Sequence, residues 1–195
     1  APMILFMPQP GAPLSEFAQA MLADPQSIPA LSLLNSGGFD PNSREAHAAE
    51  IGGAGGISNA RGLAGLYAPL AAGGGSLVDR ATLARMGEVS MATNEDATLL
   101  IPTRFALGFM KSMDNRRRRR GDRDSAILSA AAFGHVGAGG SIGFADPREH
   151  LAFGYSMNRM GQSILLNERG QSLVDATYRA LGYASNDGGV WARAN

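Results

Sequence analysis

The sequence predicts an α+β fold, an antiparallel sheet with helices on both faces, and three observations carry that expectation. Ile142 and Phe144, then Leu151, Phe153, Tyr155 and Met157, recur at every second residue, the period of half-buried strands. Asp146-Pro147-Arg148-Glu149 between the two runs is turn chemistry, so they read as an antiparallel hairpin. Apolar stripes at helical spacing lie before and after the hairpin, and a sheet so bordered buries its faces beneath those helices. With 195 residues, 45% of them hydrophobic, the chain has apolar content for one core, and a single domain over 1–195 is expected.

In chain order, Met3 to Met7 is a short apolar run bounded by prolines and reads as a strand or buried extended segment. Leu14, Phe17, Ala18, Met21 and Leu22 share one helical face, and Pro25 stops that helix. Residues 25–59 turn to Pro, Gly, Ser and Asn and are expected to form a long irregular connection of the kind that lines sites. Ser58 is placed to cap a helix over 59–72, striped by Leu63, Leu66, Tyr67 and Leu70 and ended by Gly73-Gly74-Gly75. Asp79 caps a shorter helix over 81–86, and 101–109 reads as extended. Residues 110–126, with their five-arginine run, read as a charged surface loop. A C-terminal helix is expected over 170–181 from Leu173, Val174, Tyr178 and Leu181, followed by a polar tail containing Trp191.

Charge and composition narrow the function. Seventeen basic residues balance seventeen acidic ones, so no overall field calls for nucleic acid or an anionic membrane. The run from Arg116 to Arg120 is flanked by Asp114, Asp122 and Asp124 and has no interleaved aromatic residue for base stacking, so no nucleic-acid partner is expected. Cysteine is absent, which excludes disulfides, thiolate metal sites and a cysteine nucleophile. No apolar run is long enough to span a bilayer. His47, His135 and His150 share no metal-ligand spacing, and neither a metal nor a cofactor is expected.

The glycine-dense stretch Gly134 to Gly143 surrounds His135 and invites two readings that its context opposes. Gly139-Gly140-Ser141-Ile142-Gly143 matches G-x-S-x-G, but the residues after Ser141 are strand-like and do not form the helix a nucleophile elbow requires. After Gly137 and Gly139 the third glycine of a dinucleotide fingerprint is replaced by Ile142.

Three strings taken in order, GGISNARGLAGLYAPLA, FGHVGAGGSIGFADP and LAFGYSMNRM, resemble the C-terminal half of the class C β-lactamase-like serine hydrolases, which include family VIII carboxylesterases and penicillin-binding-protein homologues. The resemblance is strongest over 50–181. It implies a three-layer αβα fold, of which this chain holds the C-terminal part, and an acyl-serine mechanism on a small ester or amide. Three motifs serve that mechanism: S-x-x-K with the nucleophile and its base, Y-x-N with a tyrosine proton relay, and K-T-G or H-x-G on a sheet strand. His135-Val136-Gly137 matches the third. By the resemblance His135 is catalytic, and Gly137, Ala138, Gly139 and Asn158 bind substrate. The Ala138 N–H then supplies half of an oxyanion hole, where a preorganised donor is worth about 3–4 kcal/mol. No S-x-x-K is present, because Gly108 stands three residues before Lys111, the sole lysine. Tyr183-Ala184-Ser185 comes after His135, the reverse of the family order. The expectation is therefore a fragment inactive by itself, with an N-terminal half of the same hydrolase as partner; the alternative is a non-catalytic binding or structural half. Histidine in place of lysine favours esters, because an unperturbed imidazole, with a pKa of about 6.5, is mostly neutral at pH 7 and offers a β-lactam carboxylate no permanent cation.

Overall fold

The computed structural model describes residues 11, 13–35, 37–162 and 164–194, so the apolar run from Met3 to Met7 lies outside the described residues. Five helices come first: α1 (Glu16–Ala23), α2 (Ile28–Leu34), α3 (Arg44–Ala48), α4 (Ala60–Ala71) and α5 (Arg80–Gly87). Strands β1 (Met91–Thr93), β2 (Thr103–Phe105), β3 (Phe133–Gly137), β4 (Ser141–Asp146) and β5 (Leu151–Tyr155) come next. Helix α6 (Glu168–Ala180) and the short strands β6 (Tyr183–Ser185) and β7 (Ala192–Arg193) complete the described order.

The expected hairpin is β4–β5, and β3 extends it to a three-stranded antiparallel sheet in the order β3-β4-β5. Its register pairs His135 with Gly143 and Phe144 with Phe153. The two-residue period divides the side chains between two cores. Ile142 and Phe144 pack with Val174 and Tyr178 of α6, whereas Ala145 packs with Tyr67, Leu70 and Ala71 of α4. Helices therefore cover both faces of the sheet. Glycine makes the α4 side possible, since a Cβ on Gly154 would lie 2.7 Å from the Ala64 nitrogen and one on Gly143 would lie 2.6 Å from the Tyr67 ring. On the α6 side Phe144 stacks on Phe153 at 5.1 Å, and Tyr178 stacks on Trp191 at 5.9 Å.

Several expectations are corrected. Residues 25–59 hold two helices, α2 and α3, whose first turns are capped by the Ser27 and Ser43 hydroxyls. Pro29, read as a loop signal, occupies the first turn of α2, where its missing N–H costs nothing. Asn59 rather than Ser58 caps α4, accepting from the Gly62 N–H at 2.9 Å. The extended stretch shrinks to Thr103–Phe105, paired antiparallel with β1. Residues 110–126 are not a surface loop throughout: Met110, Lys111, Ser112, Met113, Asn115, Asp122, Ser125 and Ala126 are buried. Three of its arginines pair with carboxylates: Arg119 with Asp122 and Glu16, Arg118 with Glu16, and Arg116 with Asp114. The tail is not polar surface either, because Trp191 is buried and donates its indole N–H to Asp175 at 3.1 Å.

Candidate active site

The H-x-G motif occupies β3, at one edge of the three-stranded sheet. Gly134 must be glycine, because a Cβ there would strike the Gly143 carbonyl and the Phe144 side chain. It exchanges both backbone hydrogen bonds with Met110, N–H to Met110 O at 3.1 Å and O from Met110 N–H at 2.6 Å, away from β4. In an antiparallel ladder outward and inward groups alternate, so Gly134 and Val136 present their backbone polar groups on the same outer side, and Ala138 opens the turn that follows β3. Beyond Met110 no strand among the described residues pairs with them there.

His135 is exposed, and its Nδ1 lies 2.7 Å from the Val136 carbonyl oxygen. A carbonyl only accepts, so Nδ1 carries a hydrogen and, in the neutral ring, Nε2 is left as the acceptor. Phe105 of β2 flanks the imidazole at 6.3 Å between ring centroids. Beneath the strand, burial pushes the Tyr67 hydroxyl above its ordinary pKa, opposed by a hydrogen bond to the His135 backbone.

Gly137 and Ala138 are exposed, and a Cβ on Gly137 would meet nothing closer than Ser141 at 4.0 Å. The space above Gly137 is open to an incoming group. Gly139 and Gly140 are buried at φ of +88° and +111°, left-handed values that disfavour side chains. Met157 and Met160 pack against Gly139, and Asn158, between them in sequence, is exposed. The methionines thus bring the segment carrying Asn158 onto the turn that follows the H-x-G glycine.

The competing candidates separate from this arrangement. The Ser141 hydroxyl contacts the Met157 sulfur at 2.6 Å, with no histidine or carboxylate among its hydrogen-bond partners in the described residues. His47 is exposed, its Nε2 3.0 Å from the Pro41 carbonyl, and His150 is exposed at φ +49° in the β4–β5 turn. Among the described residues no group of three His, Cys, Asp or Glu is placed to hold a metal. No helix among them is long and apolar enough to cross a membrane. A cavity of 390 Å³ lies away from the motif, lined by β1, β2 and the 188–190 loop.

Among the buried polar residues that escaped the sequence reading are Lys111 and Asp146. Lys111 places Nζ 3.5 Å from the Ala131 carbonyl and 6.0 Å from the Phe133 ring centroid; burial and Arg104 lower its pKa, and Asp146 raises it. Asp146, at the end of β4, accepts from the Ser129 hydroxyl at 2.5 Å and the Tyr178 hydroxyl at 3.0 Å. The turn signal Asp146-Pro147 was legible, but the burial of Asp146 depends on Tyr178 of α6, 32 residues later.

Helical layers on both faces of an antiparallel sheet, with H-x-G on the edge strand, define a β-lactamase/transpeptidase-like fold. The chain belongs to the Beta-lactamase family, whose sequence model matches residues 10–176. It is 32% identical over 125 residues to the esterase/β-lactamase LipL of Mycobacterium tuberculosis, covering 62% of this chain and 26% of that protein. Among solved structures it is similar to a family VIII carboxylesterase, at 35% identity and a TM-score of 0.58, over 71% of this chain and 36% of that one. A penicillin-binding-protein homologue from Caulobacter crescentus matches at 27% identity and a TM-score of 0.62, over 78% and 40% of the two chains. EstA from Arthrobacter nitroguajacolicus matches at 30% identity and a TM-score of 0.61, over 86% and 42%. The chain thus spans well under half the length of each of these relatives.

Proposed function

We propose that this chain forms one wall of the acyl-transfer site of a carboxylesterase that works through an acyl-serine intermediate. The attacking serine, its lysine and the relay tyrosine then belong to polypeptide outside these 195 residues, a reading supported by the absence of S-x-x-K and the share of the relatives that the chain covers. The observation that carries it is His135 on an open strand edge, with Nδ1 engaged and Nε2 left to accept. In the complete site Nε2 accepts a hydrogen bond from the hydroxyl of the catalytic tyrosine, or from that of the leaving alcohol once it is protonated. The Ala138 N–H and the nucleophile's own N–H receive the tetrahedral oxyanion, and Gly137 leaves room for the acyl carbon. Gly139 shapes the turn beside the substrate, and Asn158 meets its polar groups. A small ester is preferred, because histidine in the place of lysine supplies no permanent cation for a carboxylate.

The test is His135→Ala in the enzyme reassembled from this chain and the S-x-x-K-bearing half. Turnover of p-nitrophenyl esters should fall about 100-fold or more, the typical worth of a positioned proton-transfer group; full activity would exclude the role. A second reading, a non-catalytic half that completes its sheet with a partner, draws on the edge of β5, which has no partner strand among the described residues. Ester turnover by the reassembled protein separates the two.

A further inference from the structure

The turn after the H-x-G motif is held from one side by Asn167, the N-cap of α6. Its Oδ1 accepts from the Gly170 N–H at 3.1 Å, as a cap does, while its Nδ2 donates to the Gly139 carbonyl at 2.6 Å. The Gly161 N–H donates to that same carbonyl at 2.8 Å. Two glycines make room for the amide: a Cβ on Gly140 would lie 2.5 Å from Asn167 Cγ, and one on Gly161 would lie 2.8 Å from Nδ2.

The peptide group holding the Gly139 carbonyl also holds the Gly140 N–H, which donates to the Gly137 carbonyl at 3.0 Å. The peptide group holding the Gly137 carbonyl carries the Ala138 N–H. Each group is planar and trans, with N–H and C=O pointing opposite ways, so fixing one end aims the other. Asn167 thus begins a hydrogen-bonded chain that runs through two peptide planes and ends at the Ala138 N–H, and each bond in such a chain polarises the next.

We propose that Asn167 is a positioning residue for acyl transfer, holding the Ala138 N–H in the direction from which it receives the oxyanion. The inference rests on the assignment of Ala138 made under the proposed function. An oxyanion donor works by being aimed before charge develops, so a loosened turn lowers kcat and leaves ground-state binding, and hence KM, nearly unchanged.

The capping and aiming roles separate by substitution. Aspartate and serine cap helices about as well as asparagine. Neither supplies the amide donor, and aspartate sets a carboxylate against the Gly139 carbonyl. In this chain alone, Asn167→Asp and Asn167→Ser should leave the amides of α6 protected from exchange while the Ala138 and Gly140 resonances shift and the Gly161 N–H exchanges faster. In the reassembled enzyme both variants should lose at least 10-fold in kcat with KM within about twofold. Unmoved Ala138 and Gly161 amides, or wild-type kcat in both variants, would overturn the proposal. An inactive wild-type enzyme would instead overturn the functional reading beneath it, with the amide experiment still deciding whether Asn167 holds the turn.

Discussion

Asp146 gathers the buried polar groups between sheet and helix. Fully buried, it accepts from Ser129 and Tyr178 and from the Arg148 N–H at 3.2 Å. The Ser129 hydroxyl in turn accepts from the Ala132 N–H at 3.2 Å, one residue before β3 begins. The carboxylate therefore anchors the segment that enters the H-x-G strand. Burial first, and then the charge of Asp146, raise the pKa of Tyr178 far above that of a free phenol. A group whose folded pKa is raised adds stability that is complete below the unfolded value, near 10, and is lost as pH climbs toward the folded one. Tyrosinate absorbance at 295 nm should accordingly show no Tyr178 component near pH 10, only one that appears with unfolding. Tyr178→Phe should remove that component and cost about 1–2 kcal/mol in urea denaturation. A Tyr178 ionisation near pH 10 in the folded chain would contradict this environment.

At the scale of elements, legibility followed the range of the forces involved. The β4–β5 hairpin and helices α1, α4, α5 and α6 are written in local periodicity and punctuation, and they stand where those signals put them. The α4 cap was misplaced by one residue because Ser58 and Asn59 are both good caps; backbone geometry chose Asn59, leaving the Ser58 hydroxyl to donate to the Asn59 carbonyl at 3.2 Å. Asn59→Ala should cost about 1 kcal/mol and Ser58→Ala much less, as thermal denaturation can measure; equal losses would reverse the assignment. Helices α2 and α3, only 7 and 5 residues long, carry too few turns for a stripe to show. The buried ends of 110–126 were hidden by charge: Lys111 and Asp122 look like surface until their neighbours are known. Of the site, the residue types of H-x-G were legible in sequence, whereas the Asn167 contact joins residues 28 positions apart and carried no local signal beyond a capping asparagine.

For the molecule as a whole, the sheet has an unfinished side. Because Gly134 spends its hydrogen bonds outward, the ladder alternation makes Phe153 bond to β4 and leaves Ala152 and Gly154 facing out from β5. No strand among the described residues meets them, and such an edge, lacking lysine or proline, is a template for another chain. Ile28, Leu33 and Leu34 of α2 add exposed apolar surface. The isolated chain should associate as its concentration rises in sedimentation velocity, and Ala152→Pro, which deletes an outward N–H, should weaken that association. Monomers at every concentration would contradict an open edge.

Hydrolysis of a p-nitrophenyl ester, measured with this chain alone, with the S-x-x-K-bearing half alone, and with the two combined, tests the central claim most directly. Only the combination should turn over substrate, with a burst of p-nitrophenol marking the acyl-serine. Turnover by the 195-residue chain by itself would place a nucleophile within it and contradict the assignment of His135 and Ala138 to a wall that waits for its serine.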